Sequence, residues 1–247
     1  MKVRPSVVIA RAARRGVGFA VIAALSIVAL AWLDVAAALA YVDYSAATPA
    51  PAISARPVHL VVLGDSLAYG SGKSATRGWI ERFRIRLSSR SPATLLVNLA
   101  VPGARISQVS ARIPNAGDDD TDVALVVAGT NDVLSLADPF GLALDEYGLL
   151  ARIRRLYPHA AIVVVNVPDM SRAGGRVHIP GGAHPSGLAL RAFSGLVEVD
   201  NFVIERMAQH FGADVVDIHA VRARSRGYAL LGDRAWPALA RALDVPG

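Results

Sequence analysis

Short apolar runs alternate along this chain with longer stretches of helical periodicity. Leu60–Leu63, Leu95–Ala100, Val123–Val127, Ala161–Val167 and Val215–Ile218 are the apolar runs. They lack a regular polar face, as expected of strands covered on both sides. Between and after them, Trp79–Leu87, Ile106–Ile113, Asp145–Leu156, Leu188–Phe211 and Tyr228–Leu243 read as helices. This alternation predicts a single doubly wound α/β domain with a parallel sheet of about five strands. In such a sheet, loops leaving the C-terminal strand ends form the ligand edge. Those loops begin at Asp65, Val101, Gly129, Pro168 and His219.

Charge and cysteine content narrow the function. The 247 residues carry a net charge of +6 and no cysteine. Disulfides, thiolate metal sites and a cysteine nucleophile are excluded. Five basic residues (Lys2, Arg4, Arg11, Arg14 and Arg15) lie among the first fifteen, which hold no acid. The remainder is close to neutral, so no nucleic-acid partner is expected. Gly16–Leu33 follows without a charge. At about 1.5 Å per residue it spans about 27 Å as a helix, near the ~30 Å of a bilayer core. Residues 1–42 are therefore expected to be a signal peptide or membrane anchor, with Ala38-Leu39-Ala40 a possible cleavage pattern. Residues 43–58, rich in Ala, Pro and Ser, read as a linker, and 59–247 as the domain. The expected location is outside the cytoplasm, anchored through the N-terminal helix or secreted after cleavage.

Three of the five ligand-edge loops carry chemistry. The first contains Gly64-Asp65-Ser66-Leu67, the second runs from Asn98 to Gly103-Ala104, and the third is Gly129-Thr130-Asn131-Asp132. A serine hydroxyl where a strand turns into the following segment can project into a cleft, but needs a base to attack. A tetrahedral oxyanion needs fixed donors, which the Ser66 N–H, the Gly103 N–H and the Asn131 amide could supply. Glycine at 103 lets backbone approach a substrate closely. These blocks, in this order, resemble those of the SGNH (GDSL) hydrolase family across roughly residues 59–247. The resemblance implies a flavodoxin-like fold and a serine esterase. It also implies a Ser66 nucleophile, an oxyanion hole of Ser66, Gly103 and Asn131, and no cofactor or metal. Expected substrates are small acyl esters, acetyl groups on carbohydrate, or lipid esters. Nothing in the sequence indicates an oligomeric state.

The family's fourth block, Asp-x-x-His-Pro before the last helix, is missing. Gly227-Tyr228 matches the helix start, but the histidine position holds Arg222, which cannot act as a base. Asp233-x-x-Trp236-Pro237 copies the spacing only, inside a predicted helix. Of six histidines, His59, His159 and His210 fall at the wrong edge, while His178, His184 and His219 fall at the ligand edge. His219 directly follows the fifth strand, and Asp217 would share its face if that strand persisted. His184, in His-Pro-Ser-Gly, is the rival base. The alternative is a degenerate binding protein that lost its base. A segment lost from the sequence itself is a third reading.

Other features read as ordinary. Gly70–Ser74 imitates a phosphate loop, but Leu67 stands where its first glycine is required. Asp118–Asp120 with Asp122 reads as a solvated loop rather than a cation site. Arg172, Arg176 and Arg191 read as solvated residues on a rim between Pro168 and Ser194.

Overall fold

A computed structural model describes residues 57–69, 78–88, 94–114, 120–169, 187–220 and 227–243, together with Ser26 and Ala29, which are helical. The expected leader, otherwise, and nearly all of the linker lie outside the described residues, as do His178, His184, Arg222 and Gly70–Ser74. Among the described residues, no helix is long and apolar enough to cross a membrane.

The expected strands form: β1 (Val58–Gly64), β2 (Thr94–Asn98), β3 (Val123–Val127), β4 (Ala161–Val165) and β5 (Asp214–Val216). They make a parallel sheet in the order β2-β1-β3-β4-β5. The helices are α1 (Ser66–Tyr69), α2 (Trp79–Ser88), α3 (Ile106–Arg112), α4 (Thr130–Leu134), α5 (Pro139–Leu156), α6 (Gly187–His210) and α7 (Gly227–Ala242).

Side chains that alternate along the strands feed two cores. Val61, Leu63, Ala124, Val126, Ile162 and Val164 pack toward α3, α5 and α6. Leu60, Val62, Val123, Leu125 and Val163 pack toward α2 and α7. Each fully buried Val or Leu stabilises the fold by about 1.5–3 kcal/mol. In the second core, Trp79 meets Phe83 edge-on at 5.3 Å, and Phe83 stacks on Trp236 of α7 at 6.1 Å. The Arg86 guanidinium covers the Trp236 ring at 4.2 Å. These contacts clamp the C-terminal helix to α2.

Element ends differ from the sequence reading where side chains set them. β1 starts at Val58, the last residue of the expected linker. α5 begins at Pro139 rather than Asp145, because Asp138 caps it: its Oδ1 accepts the Gly141 N–H at 2.7 Å, and proline suits the first turn. α1 and α4, a turn or so each, were not anticipated. Asp122 corrects the solvated-loop expectation. It is buried, and its Oδ2 accepts the His59 N–H at 2.8 Å. Its backbone joins β1 and β4, donating to His59 and accepting from Ala161. Asp120 is exposed, as expected.

Candidate active site

Three loops at the C-terminal edge of β1, β2 and β3 are knitted together by backbone hydrogen bonds. Leu99 N–H donates to Val62 O at 2.8 Å, and Val101 N–H to Gly64 O at 2.9 Å, carrying the β2 loop along the end of β1. Asp65 N–H donates to Val127 O at 3.0 Å, tying the end of β1 to β3. This closeness requires glycine at 64. A Cβ there would lie 2.1 Å from Val127 O, a backbone atom that cannot move aside.

Ser66 opens α1, directly after this turn, and is half-buried. Asp65 caps the helix through Oδ1, which accepts the Leu67 N–H at 2.8 Å. Two side chains brace α1 from other elements. Trp79 Nε1 donates to Leu67 O at 2.7 Å, and Asn98 Nδ2 to Ala68 O at 3.2 Å. Gly103 turns with φ +81°, a conformation L side chains rarely adopt. It is exposed, and a Cβ placed on it would meet nothing within 4 Å, so the turn faces open space.

Asn131, near the start of α4, reaches both neighbouring loops. Its Nδ2 donates to Ala104 O at 2.9 Å and, at a long 3.4 Å, to Asp65 Oδ2. The next residue, Asp132, accepts the Ile106 N–H on Oδ2 at 3.1 Å. The loop of Gly103 is thus held by two consecutive residues of α4. The structure brings Ser66, Gly103 and Asn131 together at one edge, through Asp65 and Ala104. Burial pushes the Asp65 carboxyl up to about 6, against hydrogen bonds from Leu67 and Thr130 that pull it down.

His219 and Asp217 lie beyond β5, with β3 and β4 between them and the strand that carries Ser66. The shared face expected of this pair does not form, because β5 ends at Val216. Asp217 Oδ1 accepts the His219 backbone N–H at 2.8 Å and the Asn166 amide at 3.0 Å. Those bonds and the charges of His219 and Arg234 outweigh burial and hold Asp217 below the usual carboxylate range. The imidazole instead meets Asn201, whose Nδ2 lies 3.3 Å from His219 Nδ1. Val167 fixes that amide: its N–H donates to Asn201 Oδ1 at 2.7 Å, and its carbonyl accepts from Nδ2 at 2.9 Å. Asn201 therefore turns its Nδ2 rather than its oxygen toward His219 Nδ1. His184, the rival, lies outside the described residues. Asp233, Trp236 and Pro237 lie within α7, as expected of a chance match.

The sequence pattern points to Asp65, Asn98 and Asp132 without giving them a role, and does not point to Asn201, Glu146 or Asp200. The last two were visible as acids on otherwise apolar helix stripes. Among the described residues, no group of His, Cys, Asp and Glu could hold a metal ion.

A parallel sheet in this order, with a Gly-Asp-Ser turn at the end of its first strand, is the α/β fold of the SGNH hydrolases. Residues 62–242 match the model of the GDSL-like lipase/acylhydrolase family. The chain belongs to that family, and so to the acyl ester hydrolases. Similar solved structures include TesA, with 19% identity, 75% of this chain and 99% of that chain covered, and a TM-score of 0.59. The esterase EstA from Pseudoalteromonas sp. aligns over 75% of this chain and 98% of its own, at 14% identity and TM-score 0.53. An acetyl xylan esterase, AlAXEase, aligns over 74% of this chain and its full length, at 16% identity and TM-score 0.50. At these identities the likeness is one of fold. No curated protein matches the chain.

Proposed function

We propose that the protein is a serine esterase in which Ser66 Oγ attacks the ester carbonyl carbon. The alcohol leaves, an acyl group remains on Ser66, and water then releases the acid. The oxyanion is held by the Ser66 and Gly103 N–H groups and by Asn131 Nδ2. Asn131 Nδ2 holds Ala104 O closely and Asp65 Oδ2 only at a long 3.4 Å, so the hydrogen on the Asp65 side is the one weakly engaged and open to the oxyanion. The observation that carries this reading is the hydrogen-bonded joining of the three loops at one sheet edge. Small acyl esters are the proposed substrates, either acetyl groups on carbohydrate or lipid esters. The charge pattern of residues 1–42 supports export, with the domain anchored or released.

The test is covalent. A fluorophosphonate forms a P–O bond to an activated serine with loss of fluoride. Intact full-length protein is expected to gain one phosphonyl adduct, on the peptide holding Ser66. No adduct, or an adduct elsewhere, would overturn the reading, and a folded but unlabelled protein would mark a cradle without a base.

For the base, we infer His184 rather than His219. Two observations support this. Asn201 Nδ2 lies against His219 Nδ1, and Asp217 accepts the His219 backbone N–H, so Asp217 does not orient the ring as a triad acid would. The segment containing His184 joins Asp169, past the end of β4, to α6, so both of its flanks are at the ligand edge. His184→Ala is expected to lower kcat by about 10²–10⁴-fold. His219→Ala is expected to change it far less. The opposite ranking would return the role to His219.

A further inference from the structure

The two helices that carry the proposed chemistry each finish on a large apolar side chain left in water. Tyr69 is the last residue of α1 and is 58% exposed. Leu136 follows the end of α4 and, at 64%, is the most exposed large apolar residue among those described. Packing within the fold accounts for neither.

Leu136 is also held in a conformation that its side chain opposes. α4 closes with the Ala137 N–H donating to Asp132 O and the Leu136 N–H to Val133 O, both at 3.0 Å. This pair of bonds turns the chain sharply at Leu136, whose φ is +54°. Glycine is the usual residue at such a helix end, because a Cβ crowds the left-handed backbone. Among the described residues, Leu136 is the only one other than glycine with a positive φ. A leucine here strains the backbone and gains no burial in return, so its use lies in what it meets from solvent.

Its position says what that is. α4 leaves the C-terminal end of β3, and α5 returns from the same edge to the start of β4, so the turn at Leu136 lies on the edge that carries Ser66. β1 and β3 are neighbours, and the 3.4 Å approach of Asn131 Nδ2 to Asp65 Oδ2 sets the start of α4 beside the nucleophile's turn. Five residues on from Asn131, at about 1.5 Å each, Leu136 stands about 7.5 Å further along. Tyr69 is three residues after Ser66, and its N–H donates to Asp65 O at 2.9 Å, closing the helical turn. Residues so spaced share a helix face with Cβ atoms about 5–6 Å apart, and the later side chain leans back over the earlier turn.

We propose that Leu136 and Tyr69 are specificity-determining residues that take the hydrocarbon chain of the ester, so that the substrate is a lipid-type ester rather than an acetyl ester. The inference rests on the Ser66 reading above. A chain of several carbons running along this edge from the carbonyl covers both side chains, and the apolar area of chain and protein leaves water together. An acetyl methyl beside a carbonyl held by Asn131 does not span the distance to Leu136. Tyr69 alone would equally suit a sugar ring, but Leu136 offers no flat face for one. The pair favours hydrocarbon.

The test uses ratios, which cancel any general loss of activity. On full-length protein, kcat/KM is measured for p-nitrophenyl octanoate against p-nitrophenyl acetate, with Ser66→Ala as the blank. Octyl acetate against ethyl acetate forms a second pair, with the chain on the alcohol. Each methylene taken fully out of water is worth up to about fourfold, so wild type is expected to prefer the longer ester of at least one pair by about tenfold or more. Leu136→Gly and Tyr69→Ser should each lower that ratio by about 3–10-fold, and Leu136→Met should keep it. Leu136→Gly should also melt above Leu136→Ala, since both lose the side chain and only glycine relieves the backbone. Leu136→Asn, which tolerates the same backbone, carries the ratio expectation if the glycine variant fails to fold. A preference for the short ester in both pairs, an unchanged ratio in either the Leu136 or the Tyr69 variant, or a glycine variant that melts below the alanine one would overturn the proposal. If wild type proves no faster than Ser66→Ala, the nucleophile reading fails instead. Binding of free octanoate to the Ser66→Ala protein then decides: weaker binding on adding Leu136→Gly upholds the apolar rim, and equal binding overturns it.

Discussion

Ser66→Ala is expected to lower kcat for ester hydrolysis by a factor on the order of 10⁵–10⁶, as removal of a catalytic serine does elsewhere. The loss should appear without loss of fold. Three bonds hold α1 without the hydroxyl: Asp65 to Leu67 N–H, Trp79 to Leu67 O, and Asn98 to Ala68 O. Alanine also keeps the backbone N–H at position 66, so the oxyanion cradle survives. The urea midpoint of the variant should therefore stay near that of wild type. Equal hydrolysis by variant and wild type would remove Ser66 from the mechanism.

Asn131→Ala is expected to cost about 10²–10³-fold in kcat, with a smaller change in KM, because the lost donor matters most when negative charge develops. This substitution also touches stability. Ala104 O loses its 2.9 Å donor, and Asp65 loses the long bond to its Oδ2. A cost of about 1–3 kcal/mol is expected for groups left unsatisfied in this way. Kinetics and urea unfolding measured on the same variant separate the two effects. A kcat within a few-fold of wild type would leave the oxyanion to the two backbone donors.

Much of this was legible in the residues. β3 is a continuous Val-Ala-Leu-Val-Val run because both of its faces are covered, and its boundaries followed from that pattern. The three loops could be placed at one edge because parallel strands put their C-terminal ends together. The start of α5 was less legible. Phe140, Gly141 and Leu142 show no clear period, and only the capping bond from Asp138 locates Pro139 as the first residue. The end of β5 was hidden for a related reason. Asp217 and Asn166 hydrogen-bond backbone and each other, stopping the strand two residues before its apolar pattern ends.

The buried acids were legible in principle. Glu146 shares a stripe with Leu142, Leu149, Leu150 and Ile153, and Asp200 with Val197, Val203, Ile204 and Met207. An acid at the third and fourth spacing of such a stripe must be buried with it. The partner of the His219 ring was not legible, because it is an amide from α6, eighteen residues away, locked by the backbone of Val167.

The clamp between α7 and α2 ties the Gly-Asp-Ser turn to residues far from it in sequence. Ser66 lies in the first motif of the domain, yet part of the bracing of its helix comes from Trp79, which sits in a core closed by Phe83 and Trp236. Damage to α7 therefore reaches that turn through two aromatic contacts and one indole hydrogen bond, without touching the motif itself.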